Sequence, residues 1–143
     1  MMMQVVKNLA ASRAACPILD DEQIAAYINR GEVPTGAAYI EVPPTKIIRQ
    51  RGFWLRPNHR MHHTAALFLI STDVYAMNED EHAGRRDQIY CYRSTQAKTA
   101  YLGRVYEVDC RHKTLSPLIE GLHDPLDIQA CSLVYVGRVI SAM

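Results

Sequence analysis

The sequence predicts an α+β fold, and three observations carry that reading. One short helix is signalled near the start with both of its ends. Several apolar runs of strand length follow, rich in β-branched residues. The helical signals concentrate in the first half of the chain. At 143 residues the chain reads as a single domain, 1–143, long enough to bury a sizeable core without staples.

The helix is expected over Asp21 to Arg30. Asp20 is a good N-cap, and Gln23 three residues on completes a capping box. Leu19 and Ile24 suit a hydrophobic staple, Ile24, Tyr27 and Ile28 share one face, and Gly31 suits the C′ position. Beyond the Pro34-Thr35-Gly36 turn, Ala37 to Val42 reads as a short strand, stopped by Pro43-Pro44. Thr45 can cap a brief helix with Ile47 and Ile48 inward, closed by Gly52. Asn58 to Thr64 is a polar, His-rich loop, and Ala65 to Ile70 is an apolar run suited to a strand inside a sheet. Ser71-Thr72-Asp73 ends that strand and can cap a helix over Met77 to His82. Ile89 to Tyr92 fits a strand or a helix start. Ser94 to Ala100 reads as helical, and Arg104 to Cys110 and Leu133 to Ile140 read as strands.

Composition narrows the function classes. The chain is 48% hydrophobic and 22% charged, which argues against disorder. A formal net charge of +1 supplies no global field for nucleic acid or an anionic membrane. Local pairs such as Arg49/Arg51 and Arg85/Arg86 still permit anion contacts. No run approaches the ~20 apolar residues of a membrane helix. The start lacks a continuous apolar signal-peptide core, so the expected location is the cytoplasm, or a host cell entered without a classical signal peptide. Cys16, Cys91, Cys110 and Cys131 are scattered, without a C-x-x-C pair. They read as buried free thiols, above all Cys110 and Cys131, ahead of a disulfide or a metal site.

Candidate chemistry gathers at three places. His59, His62 and His63 include an H-x-x-H spacing that a metal could use, but no further ligand has a matching spacing. A single functional histidine and solvated loop histidines are the other readings. Ser71-Thr72 either cap the following helix or present hydroxyls to a ligand or a catalytic carboxylate. Glu120 lies among Leu115, Leu118, Ile119 and Leu122, where partial desolvation would raise a carboxylate pKa or force it to find a partner. The chain has no G-x-S-x-G elbow, no G-x-G-x-x-G and no P-loop.

Taken in order, these segments resemble the mono-ADP-ribosyltransferase toxins, nearest the catalytic subunits of pertussis and cholera toxin. Pro43-Pro44 through Gly52-Phe53 looks like that family's Pro-Pro, short helix, Gly-aromatic segment. His62-His63-Thr64 looks like its functional-histidine loop, and Leu69-Ile70-Ser71-Thr72-Asp73 resembles its Ser-Thr-Ser strand. Arg104 to Val108 is similar to the next core strand. Glu120-Gly121-Leu122, with Pro125, Ile128 and Val134-Tyr135, is similar to the catalytic glutamate, loop and closing strand.

The resemblance implies two small packed sheets with short helices and an NAD-binding cleft between them. It implies Glu120 as stabiliser of an oxocarbenium-like ribose and His62, with His63 as understudy, as a ribose or phosphate contact. Ser71 and Thr72 would orient the glutamate or the ligand, and Trp54 would either stack on a ring or pack in the core. The family's R-x-D-x-R-P-P opening is absent, because Ala38 and Val42 stand where its arginines belong. Arg51 or Arg49 would have to substitute across space. Asp73 replaces the last serine, and Leu118 stands two residues before Glu120, which argues against arginine as acceptor. Two functions on this fold are therefore expected, beside a third reading as an unrelated α+β structural or inhibitor protein. One is an ADP-ribosyltransferase or NAD glycohydrolase acting, toxin- or effector-like, on an intracellular protein. The other is a non-catalytic module of the same fold that binds a protein or a nucleotide.

Overall fold

The computed structural model describes residues 15–48, 50–72, 87–109 and 112–143. The chain enters through β1 (Ala15–Leu19), whose last residue is fully buried. Asp20 then turns the backbone. Its carboxylate accepts the amides of Glu22 at 3.0 Å and Gln23 at 3.2 Å, while Gln23 Oε1 accepts the Asp20 amide at 3.0 Å. This capping box starts a 3₁₀ turn, Asp21–Gln23, which runs into α1 (Ile24–Arg30). Gly31 ends the helix at φ +71°, a left-handed conformation that costs glycine nothing. The helix expected over Asp21 to Arg30 is present with both of its ends.

Strands follow at β2 (Tyr39–Glu41), β3 (Gly52–Leu55), β4 (Phe68–Thr72), β5 (Tyr90–Ser94), β6 (Ala100–Asp109), β7 (His112–Pro117), β8 (Leu126–Asp127) and β9 (Leu133–Ala142). They form one sheet in the order β2-β1-β3-β4-β9-β5-β6-β7-β8, antiparallel throughout except between β1 and β3. The expectation of two packed sheets is corrected here, and β9 supplies the reason. This last strand lies at the centre and pairs with β4 on one side and β5 on the other, so it welds the two halves together.

Two expected helices are also absent. After Pro43-Pro44 the Lys46 amide donates to the Pro43 carbonyl in a single turn, and the chain then runs on into β3. All four β3 residues are buried. Phe53 and Leu55 face one core and Trp54 another, a two-sided burial that only a strand permits. The segment Ser94 to Ala100 is a hairpin turn instead of a helix. Ser94 Oγ accepts the amides of Gln96 and Ala97, and the Ser94 amide donates to the Thr99 carbonyl, which closes the loop before a helix can start. Of the stretch Ile89 to Tyr92, the residues from Tyr90 on are strand, the start of β5. The helix expected over Met77 to His82, the pair Arg85/Arg86, and Arg49, Asp73 and Cys110 lie outside the described residues. Cys16 and Cys91 are buried free thiols, and Cys131 is free and half-buried. Burial raises the Cys16 thiol to about 11 and pushes Cys91 higher still. Among the described residues no helix is long and apolar enough to cross a membrane.

The sheet is strongly curled, and one hydrogen bond proves it. β1 and β6 are five places apart in the strand order, roughly 24 Å across a flat sheet. Yet Asp21, two residues past β1, accepts the amide of Ala100, the first residue of β6, at 2.9 Å. The concave side holds Leu19, Ile24, Phe53, Phe68, Ile70 and Leu102. On the other face Tyr90, Tyr92, Val105 and Leu115 are covered by Ile128 and Leu133, which flank the turn after β8. A third cluster, centred on Trp54 and Leu69, sits under β1 and β2.

Close strand packing at the centre makes a sharp prediction. A Cβ placed on Gly137 would lie 2.4 Å from the Ser71 carbonyl oxygen, a backbone atom that cannot move aside alone. Gly137→Ala should therefore destabilise by about 1–3 kcal/mol or more in urea unfolding. An unchanged midpoint would show that β9 does not hold this register.

Candidate functional site

Asp21 organises the best-formed polar site in the described structure. It is only 3% exposed, and its two oxygens accept main-chain amides from distant segments, Asn58 at 3.1 Å and Ala100 at 2.9 Å. Burial lifts its carboxyl above the ordinary value of 3.8. The amides of Ala100 and Asn58 and the nearby His59 oppose that rise, and Asp20 adds to it. One side chain thus ties the helix start to the β5–β6 hairpin and to the loop that follows β3.

That loop carries the candidate site. Arg56 is fixed at its entry by a 2.8 Å bond from its amide to the Leu19 carbonyl, Asn58 is held by Asp21, and Met61 is buried in the main core. At its exit Ala66 and Leu67 donate to the Met143 carbonyl. Between these anchors a cleft of about 400 Å³ opens, lined by Arg56, His59, Arg60, His62, His63 and Thr64 among others. Arg60 shapes it from within, donating to the carbonyls of His62, at 3.1 Å, and His63. His62 is half-buried with its ring edge-on to Phe68, and its Nδ1 faces the Thr64 amide at 3.2 Å and hydroxyl at 3.3 Å. With the ring fixed by Nδ1, Nε2 is the nitrogen left for a ligand. No carboxylate stands among the described residues lining this cleft. Among the described residues no three His, Cys, Asp or Glu side chains gather as a metal site would require.

The structure brings His62 and His63 together in this cleft and sends the other expected site residues elsewhere. Arg51 caps the C-terminal end of α1. Its guanidinium donates to the Tyr27 and Ile28 carbonyls and lies 5.9 Å from the Tyr27 ring centre, a favourable place for a cation at a helix end. Thr72 is buried and hydrogen-bonded to the Arg51 main chain, its Oγ1 accepting the amide at 3.1 Å and donating to the carbonyl at 2.9 Å. Both residues are committed to the fold. Trp54 is 1% exposed and donates from Nε1 to the Ile40 carbonyl at 3.2 Å, so it packs in the core and offers no face for stacking. Ser71 is buried within β4.

Glu120 sits on the exposed loop after β7, and among the described residues its side chain makes no hydrogen bond or ion pair. Pro117, where β7 ends, lies in the same cross-strand row as Ser71, but four strands away along it. The partial desolvation expected from Leu118 and Ile119 is not achieved. Leu118 turns into the main core, while Gly121 at φ +82° swings the loop outward. Sequence reasoning missed Asp21, Arg56 and Arg60. Asp21 looks like an ordinary first-turn acid, and only the fold reveals the two amides that reach it.

Asp21→Ala should cost about 2–4 kcal/mol, because it strands the buried Ala100 amide and the part-buried Asn58 amide. A loss below about 0.5 kcal/mol in urea unfolding would show that the Asp21 bonds carry no weight. The pH dependence has a definite sign. Since the folded carboxyl titrates above 3.8, the pH-dependent part of its contribution is complete below 3.8 and is lost as pH rises through the folded value, while the two amide bonds to the carboxylate remain. The stability of the wild type relative to Asp21→Asn should therefore fall as pH rises through that window.

No protein family, no curated protein and no solved structure matches the chain.

Proposed function

We propose that this chain is a non-catalytic binding module that takes a phosphate-bearing ligand in the cleft of the loop after β3. The observation that carries the reading is the charge pattern of that cleft. Two arginines and three histidines converge on it, and no described lining residue is acidic. Guanidinium groups match phosphate oxygens in charge and donor geometry, and an imidazole N–H can donate to them as well. Their fixed positions, held by Asp21, Met61 and the Arg60 bonds, reduce the ordering cost of binding. A nucleotide is the class proposed, with NAD first to try because of the resemblance that runs from about Ala38 to Val139.

An ADP-ribosyltransferase or NAD glycohydrolase is the competing proposal, and the exposure of Glu120 leaves that carboxylate open to a substrate. Its other expected contacts, Arg51, Thr72 and Trp54, already have structural partners. Among the described residues Glu120 has no fixed partner, and so none that supplies the preorganisation that transition-state stabilisation requires. The binding reading is therefore the stronger of the two.

Calorimetry with NAD and with pyrophosphate at low salt tests this. Losing one charge-assisted contact costs about 1.5–3 kcal/mol, so Arg56→Gln or His62→Ala should weaken binding roughly ten- to hundredfold. Glu120→Gln should bind as the wild type does, and labelled NAD should release no nicotinamide. Nicotinamide release that depends on Glu120 would turn the assignment to the transferase. Failure of both ligands to bind would remove the phosphate site.

A further inference from the structure

The cationic cleft does not end at Arg56. The same residue lines a second cleft of about 330 Å³, and the chemistry there is different. Its polar walls are Asp20, Gln23 and Thr35, and its apolar floor includes Ile18, Leu19 and Ala37. The capping box determines which polar atoms remain. Asp20 Oδ1 accepts two amides and Gln23 Oε1 accepts one, which leaves Asp20 Oδ2 as an acceptor and the Gln23 amide nitrogen as a donor. The turn at Gly36, with φ +79°, also lines this cleft, and the space beside its Cα is open, since a Cβ there would meet nothing within 4 Å.

A bare anion would occupy only the cationic side of Arg56. A ligand with an anionic end and a neutral hydroxylated end would engage both sides. Mixed donors and acceptors beside small apolar groups suit a polyol ring, whose hydroxyls both donate and accept. Resting on the phosphate-binding reading above, we propose that the two clefts form one site for a sugar phosphate. Its phosphate lies against Arg56 and His62, and its hydroxyls against Asp20, Gln23 and Thr35.

Calorimetry with inorganic phosphate and with ribose 5-phosphate separates the two claims. The wild type should bind ribose 5-phosphate at least about tenfold more tightly than phosphate. Ala38→Trp, at an exposed position lining only the second cleft, should erase that difference while phosphate still binds as before, which also reports an intact fold. Thr35→Val should narrow the difference without changing phosphate affinity. Equal affinities for the two probes in the wild type, or a difference that survives Ala38→Trp, would overturn the joint site and leave the phosphate site standing. If neither probe binds, both proposals fall.

Discussion

A buried carboxylate that receives two main-chain amides holds this molecule in its curled shape. Asp21 bridges the end of β1 to the start of β6, strands that a flat sheet would keep far apart, and its second oxygen holds the loop after β3. Hydrogen bonds to a charged acceptor are stronger than neutral ones, and in a low-dielectric setting they are expensive to break. The concave core from Leu19 to Leu102 fills the space that this closure encloses. Closure and packing therefore support one another.

The candidate site depends on the same residue. A polar loop rich in histidine and arginine would ordinarily sample many conformations in water. Here Asn58 is bonded to Asp21, Met61 is sunk in the core, and Arg60 gathers the carbonyls of His62 and His63. Two arginines and three imidazoles are thereby gathered around one cleft without a described acidic lining residue, an arrangement that favours an anion. That preference is the physical basis for reading the loop as a binding surface. The carboxylate chosen from sequence, Glu120, has no comparable support, because its loop projects from the far end of the strand row.

The sequence shows some of this plainly and hides the rest for identifiable reasons. Asp20, Gln23 and Gly31 state the helix and both of its ends, because capping is local chemistry. Leu133 to Ile140 reads as a strand for the same reason. Its central position does not show, since strand order depends on pairings across dozens of residues. Ser94 to Ala100 has helix-forming composition, yet the Ser94 hydroxyl and the pairing of β5 with β6 make it a hairpin turn. Arg51, Thr72 and Trp54 suit a ligand site by residue type. Only the fold shows that a helix end, a neighbouring main chain and a core already occupy them. The histidine loop was legible as a candidate because its composition is unusual. Arg56 was not, because its value comes from standing between two clefts.

The claim that Asp21 closes the sheet and fixes the loop is tested most directly by amide hydrogen exchange at Asn58 and Ala100. In the wild type both amides should be protected well beyond their exposed neighbours. In Asp21→Ala both should exchange faster, while the β4 amides opposite β9 keep their protection. Unchanged protection at Asn58 and Ala100 in the variant would contradict the account, because another contact would then be closing the curl.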